Sequence, residues 1–309
     1  MDEQTSTRPA LSRSASLTRV AVAYVLAIGA GAAWLLAGPD TGRLWLDALI
    51  ADVVATLVVF AASRLHRNSS FYDAYWSVVP PLLALYWWLA ADAGTDPVRW
   101  WLVMGLILVW AVRLTANWLR GWPGLHHEDW RYPLLRERAG RAELLADLGG
   151  IHLVPTLQVF LGTLPVYVVV TRGQQPVGWL DVVALLVGLG AVALETVADL
   201  QMHRFVRTRR PGQVMTQGLW AWSRHPNYVG ELGFWFSLAL FGLAADPGAW
   251  WVLVGTAAML AMFLGASIPM MEERSVQRRP EYAQAVAGIS RFLPRPPRAP
   301  RTGVSGQPG

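Results

Sequence analysis

Eight windows of this chain stay apolar over a length approaching the about 20 residues that carry a helix through roughly 30 Å of hydrocarbon. They are Val20 to Gly38, Leu46 to Ser63, Tyr75 to Ala91, Trp100 to Trp118, Leu153 to Val170, Trp179 to Leu200, Leu232 to Ala245 and Trp250 to Met271. The seventh is short, and is expected to tilt, to re-enter or to bury itself in the bundle, so seven spans stand beside eight as a reading. The expected fold is all-α: a polytopic membrane helix bundle of about 7–8 transmembrane helices.

Composition agrees with that frame. Of 309 residues 54% are hydrophobic and only 15% charged, with a mean hydropathy of +0.33, and a soluble bundle of this size needs far more surface charge. The 17 Trp suit interfacial belts, and the 28 Gly suit close helix contacts. All 26 basic residues are Arg, and Cys is absent. Lysine Schiff bases, thiolate catalysis, iron–sulfur ligation, disulfides and thiolate zinc sites are thereby excluded. A pI near 10 raises nucleic acid as a partner, but the arginines fall between apolar windows and form no continuous patch, so no nucleic-acid partner is expected.

Where the arginines fall orients the spans. Arg8, Arg13 and Arg19 precede the first; Arg64 and Arg67 follow the second; Arg120, Arg131, Arg136, Arg138 and Arg141 follow the fourth. Arg204, Arg207, Arg209, Arg210 and Arg224 follow the sixth, and Arg274, Arg278, Arg279 and Arg291 the eighth, whereas the other loops hold only Arg43, Arg99 and Arg172. The positive-inside rule then puts both termini in the cytosol. Residues 1–16 read as a disordered cytosolic tail, 17–293 as one transmembrane domain, and 294–309 as a disordered Pro/Arg-rich tail. No internal repeat is visible, which disfavours a transporter built from two symmetric halves.

Ionisable groups within or beside spans are costly and mark function. Five segments bring them to the same membrane face: Asn68, Asp73 and Trp76; Arg113, Asn117 and Arg120, followed by His126 to Tyr132; Glu195, Asp199 and Gln201; Arg224 to Glu231; and Glu272 with Glu273. Pro226 fits the first turn of a helix, so Ser223 to Asn227 stand at a helix N-terminus where free N–H groups, the dipole and Arg224 favour an anion such as a diphosphate. The plainer reading of that segment is a capped helix start with a local Arg–Glu pair. Glu195 and Asp199, four apart, share a helix face. Arg64, Arg67 and Arg136 to Arg141 read as orientation signals, Asp47 and Asp52 as interfacial, and His203 as a solvated residue near a loop. His126, His127, Glu128 and Asp129 are adjacent side chains that do not readily converge on one ion, so no metal is expected.

The Ser-Arg-His-Pro-Asn-Tyr-x-Gly-Glu core within Gly218 to Glu231 resembles the C-terminal domain of the steroid 5-alpha reductase superfamily, in particular its bacterial branch of uncharacterised membrane proteins. Further matches are Asp73-Ala-Tyr-Trp76, Arg113 to Arg120 leading to Glu128-Asp-Trp-Arg-Tyr132, Glu195-Thr-Val-Ala-Asp199-Leu-Gln201, Glu272-Glu273, Pro280-Glu-Tyr282 and Phe292-Leu-Pro294. Isoprenylcysteine and phospholipid methyltransferases look similar at the Arg-His-Pro core, and the Asp73 and Glu128 to Tyr132 segments tilt the choice toward reductases. The resemblance implies NADPH held by residues 178–293, at Glu195, Asp199, Arg224, His225, Asn227, Tyr228, Glu231 and Glu273, with Asn117 and Arg120 added. It implies an enone lipid entering from the bilayer of a bacterial-type cytoplasmic membrane and meeting residues 68–150. Animal steroid reductases place a Glu and a Tyr on early helices against the ketone. Asp73, with Tyr75 or Tyr72, is the nearest analogue by depth.

The expected reaction is NADPH-dependent reduction of a carbon–carbon double bond in an enone-type, steroid-like or isoprenoid substrate, with Asp73 and Tyr75 at the carbonyl. An Asp donor would need its pKa raised by burial. Two rivals stand beside it. One is methyl transfer from S-adenosylmethionine to a lipid; the other is a non-enzymatic membrane protein that binds neither nucleotide.

Overall fold

A computed structural model describes residues 11–91 and 94–297. Among the described residues the fold is helical throughout and contains no strand. In chain order the helices are α1 Arg13–Ala37, α2 Leu44–His66, α3 Tyr75–Ala90, α4 Pro97–Gly121, α5 Arg131–Ala139, the single turn α6 Glu143–Leu145, and α7 Val154–Arg172. They continue as α8 Trp179–Thr208, α9 Pro226–Ala245, α10 Leu253–Met262, α11 Ile268–Arg278 and the short α12 Tyr282–Ala285. Wide π turns at Ala146–Leu153 and Phe263–Ser267 link α6 to α7 and α10 to α11, making one long rod of each pair.

Among the described residues seven stretches are long and apolar enough to cross a membrane: 13–37, 44–66, 97–121, 131–172, 179–208, 226–245 and 250–278. The chain is an integral, multi-pass membrane protein whose outer helix faces meet lipid. The short helix is α3, not the seventh window. The latter gains a turn from Pro226 at its start and reaches 20 residues, while α3 has 16 and spans about 24 Å at 1.5 Å per residue. One face of α3 buries Tyr75, Ser77, Val79, Leu83, Ala84 and Trp87 against the bundle, with Pro80 and Pro81 in its middle, while Leu82, Leu85 and Leu89 stay exposed on the other.

Two ends of the bundle can be told apart by contacts. At one, Arg13 donates to the carbonyls of Leu119 and Trp122, the Asn68 amide donates to those of Leu125 and His127, and Arg138 pairs with Glu273. At the other, Trp87 Nε1 donates to Leu44 O, Asp96 N–H to Gly173 O, and Arg172 pairs with Asp246. The loops rich in Arg all fall at the first, here called the basic end. The helix that opens the chain begins at Arg13, inside the stretch read as a tail, where Ser12 caps it by accepting from the Ala15 N–H. Residues 1–10, with Arg8, and 298–309 lie outside the described residues.

The tightest crossing is α8 on α9. A Cβ at Gly230 would stand 2.7 Å from both Ala191 O and Glu195 Cβ, so only glycine lets the two backbones meet there. That approach sets Glu231 beside Glu195. Gly162 on α7 does the same for a ring: a Cβ there would lie 2.4 Å from Trp235.

Candidate functional site

Where α4, α8 and α9 meet toward the basic end, Arg113 faces two carboxylates one helical turn apart. Its Nη1 lies 2.5 Å from Glu195 Oε1 without hydrogen-bond geometry, and its Nη2 donates to Asp199 Oδ2. Asn117, four residues after Arg113 and so on the same face, donates to the same Asp199 oxygen at 3.0 Å, and the Asn227 side chain approaches that carboxylate from the start of α9. Glu231 is held by two indoles, Trp110 Nε1 at 3.0 Å and Trp235 Nε1 at 2.7 Å, and lies against the Glu195 carboxyl. Trp76, Trp110, Phe234 and Trp235 pack into an aromatic wall around it. Glu195 Oε2 and Arg113 Nη1 are buried and without hydrogen-bond partners.

A second group joins this one through the start of α9. The Arg224 guanidinium donates to Glu272 at 3.1 Å and to Ile289 O at 3.1 Å, and Arg291 reaches the other Glu272 oxygen at 3.1 Å. His225 N-caps α9, with Pro226 at the first helical position as the spacing predicts. Its ring stacks on Tyr228, which stacks in turn on Phe263. Burial pushes the His225 pKa down to about 4 against the opposing pull of Glu272, so its imidazole is neutral, and Nε2, 3.7 Å from Glu272, makes no hydrogen bond. Tyr228 also lies within charge range of Asp129, Arg131 and Asp199, which ties the loop before α5 to the acidic cluster.

The third polar centre lies in the N-terminal half. Tyr75 on α3 donates to Asp52 on α2 at 3.4 Å and approaches Thr56. Thr56 and Tyr72 both bond the Thr156 hydroxyl, at 2.9 and 2.7 Å. Asp52 is buried, with Oδ2 unpartnered, so the interfacial reading of this residue is overturned: it stands more than two turns inside α2, where no headgroup reaches. The acid on Tyr75 is therefore Asp52 and not Asp73. Asp73 instead accepts from Tyr132 at 2.5 Å, in the loop at the basic end, where burial lifts its pKa to about 6.

Other expectations divide. Asn117, Glu195, Asp199, Asn227 and Glu231 come together; Arg224, His225 and Tyr228 sit beside them at the start of α9. Arg120 is exposed on the last turn of α4 and has no ion pair among the described residues. Glu273 points away from Arg224, half-exposed on Arg138, because its neighbour Glu272 takes the inward face of α11. Arg64 and Arg136 are more than orientation signals, since both reach Asp147, which the π turn buries against Ser69, and Arg136 also holds Glu128 at 2.5 Å. His203, on the exposed last part of α8, bonds Asp199 O of its own helix. Sequence reasoning missed Trp110, Trp235 and Asp147. Trp235 follows Glu231 by four and was findable; the other two carry no local signal.

These features define a class: a polytopic helical membrane protein with a carboxylate-rich, aromatic-walled polar centre beneath its basic end. Within that class the chain belongs to the family described as Protein of unknown function (DUF1295), whose model matches residues 59–287 and so takes in the three polar centres except Asp52, Thr56, Ile289 and Arg291. It is similar to the uncharacterised protein C594.04c of Schizosaccharomyces pombe, at 25% identity over 271 residues that cover 80% of this chain and 78% of the relative. No solved structure matches it.

Proposed function

We propose that the protein is a membrane-embedded, NADPH-dependent reductase of a carbon–carbon double bond conjugated to a carbonyl, acting on a lipid-soluble, steroid-like or isoprenoid substrate. The observation that carries this reading is the presence of two separate polar groups of different chemistry. A carboxylate-rich cluster lies between α4, α8 and α9 near the basic end, while a phenol on a carboxyl, Tyr75 on Asp52, lies between α2 and α3. By the positive-inside rule the basic end is cytosolic, with both termini on that side of a bacterial-type cytoplasmic membrane.

The orphaned atoms suit a dinucleotide. Glu195 Oε2 can accept from a carboxamide or a ribose hydroxyl, and Arg224 and a His225 N–H can meet phosphate oxygens at the start of α9. NADPH bound there would supply the hydride. The chain's own part is to orient that group through Glu195, Asp199 and Asn227, and to keep water out with the Trp110 and Trp235 wall. At 3.4 Å the Tyr75–Asp52 bond is weak, so a substrate carbonyl oxygen can take over the phenol O–H and be stabilised as charge develops on it.

Purified protein in detergent should melt at a higher temperature with NADPH at concentrations where S-adenosylmethionine has no effect. Glu195→Gln and Asn227→Ala should each weaken NADPH about tenfold, near 1.4 kcal/mol. Unchanged affinity in both variants removes the cofactor assignment. One observation favours the methyltransferase reading: a single guanidinium faces three carboxyls inside aromatic walls, a setting that also suits a sulfonium cation. The same melting comparison decides between them.

A further inference from the structure

A cavity of ≈ 480 Å³ lies between the π turn of the last pass and the chain that follows α12, sharing Ile289 and Arg291 with the outer edge of the second polar group. One wall is Leu264, 42% exposed on the outward side of that turn, and near it stand Phe292, Pro296 and the 57% exposed Leu293. The other wall is a strap of residues 287–296 carrying two guanidinium groups, Arg291 and Arg295. No acid lines the cavity. Arg291 already engages Glu272, whereas Arg295 has no ion pair among the described residues.

We infer that this cavity seats one anionic phospholipid, with its phosphate at Arg295 and Arg291 and the first carbons of its chains along Leu264 and Leu293. The position fits such an occupant. Leu264 belongs to a helix apolar enough to cross the membrane, and the arginines stand at its basic end, so the cavity spans the boundary between carbon and headgroup. Lining charge of one sign selects a net negative headgroup over a zwitterion.

The strap's other edge is bonded to the loop before α9. Arg224 N–H donates to Ser290 O at 2.9 Å, Ser223 Oγ to Phe292 O at 2.5 Å, and Arg295 N–H to Trp222 O at 3.0 Å. A lipid seated at Arg295 therefore braces the loop that positions Arg224 and His225, and this holds whichever ligand the polar centre takes.

The test is a melting series on the full chain in neutral detergent, titrated with phosphatidylglycerol, phosphatidylcholine or inorganic phosphate. Phosphatidylglycerol should raise the melting temperature by several degrees, and the other two should not. Arg295→Glu and Leu264→Trp should melt as wild type in phosphatidylcholine but lose most of that rise, while Arg210→Glu, exposed on the same end outside the cavity, should keep it. Native mass spectrometry should find one phosphatidylglycerol per chain, lost in Leu264→Trp. If Arg295→Glu does not fold, Arg295→Gln serves in its place. An equal rise with phosphatidylcholine or phosphate overturns the inference, as does an equal loss in Arg210→Glu, which would mark a diffuse surface-charge effect.

Discussion

Two arginines on the same helix, the buried Arg99 and the partly buried Arg113, do opposite things with their charge. At the end of the bundle opposite the basic one, Arg99 Nε and Nη2 bond both oxygens of Asp181, at 2.7 and 2.9 Å, and its remaining N–H groups reach the carbonyls of Gly173, Gln175 and Pro176. Asp181 also accepts from Gly178 N–H, so one charge meets one charge and every donor is used. Each side chain is 1% exposed. Arg113 faces Glu195 and Asp199, with Glu231 behind, and leaves Nη1 and Glu195 Oε2 without hydrogen bonds. A closed pair of this kind clips α4 to α8; an open one holds valences for something that arrives. Arg99 thus corrects the reading of it as a loop charge.

The comparison breaks most visibly at the closed pair. Arg99→Leu strands a buried carboxylate and should cost about 3–5 kcal/mol, seen as loss of monodisperse protein or a large fall in melting temperature, whereas Arg99→Leu with Asp181→Leu should recover most of it. If the single variant melts like wild type, Arg99 is not a clip. At the open cluster the sign differs. Glu195→Gln relieves an excess of acid, so ligand-free protein should melt no lower than wild type, while ligand affinity falls about tenfold. A variant that lost stability instead would place Glu195 with the clips.

The smallest effect is with pH, at the two titrating groups beside the cluster. Burial raises the Asp73 pKa from 3.8 to about 6, so its contribution is present below pH 4 and is lost as pH rises to about 6. Burial lowers the His225 pKa from 6.5 to about 4, so its contribution is present above pH 6.5 and is lost as pH falls to about 4. The two slopes oppose each other across the same window. Asp73→Asn should therefore steepen the loss of stability toward acid, and His225→Gln should reverse it, each by about 1 kcal/mol after allowing for partial solvent screening. Identical pH curves in all three proteins would show that neither group senses burial.

Much of this architecture is legible in the chain because lipid imposes a local rule: each window must be apolar and long enough to satisfy its own backbone. That rule fixes the all-α bundle, its passes and the gathering of polar segments at one end, and helical spacing alone pairs Glu195 with Asp199. The same rule misjudges length at two windows, since α3 stops at 16 residues and Pro226 starts α9 early enough to reach 20, though α9 is buried in the bundle as its short window suggests. Tertiary structure alone decided which carboxyl Tyr75 meets, that Asp52 is interior, that Glu272 and not Glu273 turns inward, and that Arg99 is closed while Arg113 is open. The physical reason is that sequence spacing predicts neighbours within one helix, whereas a charge is satisfied or left open by side chains from other helices, whose rotation and depth are set by packing such as Gly230 against Ala191 and Glu195.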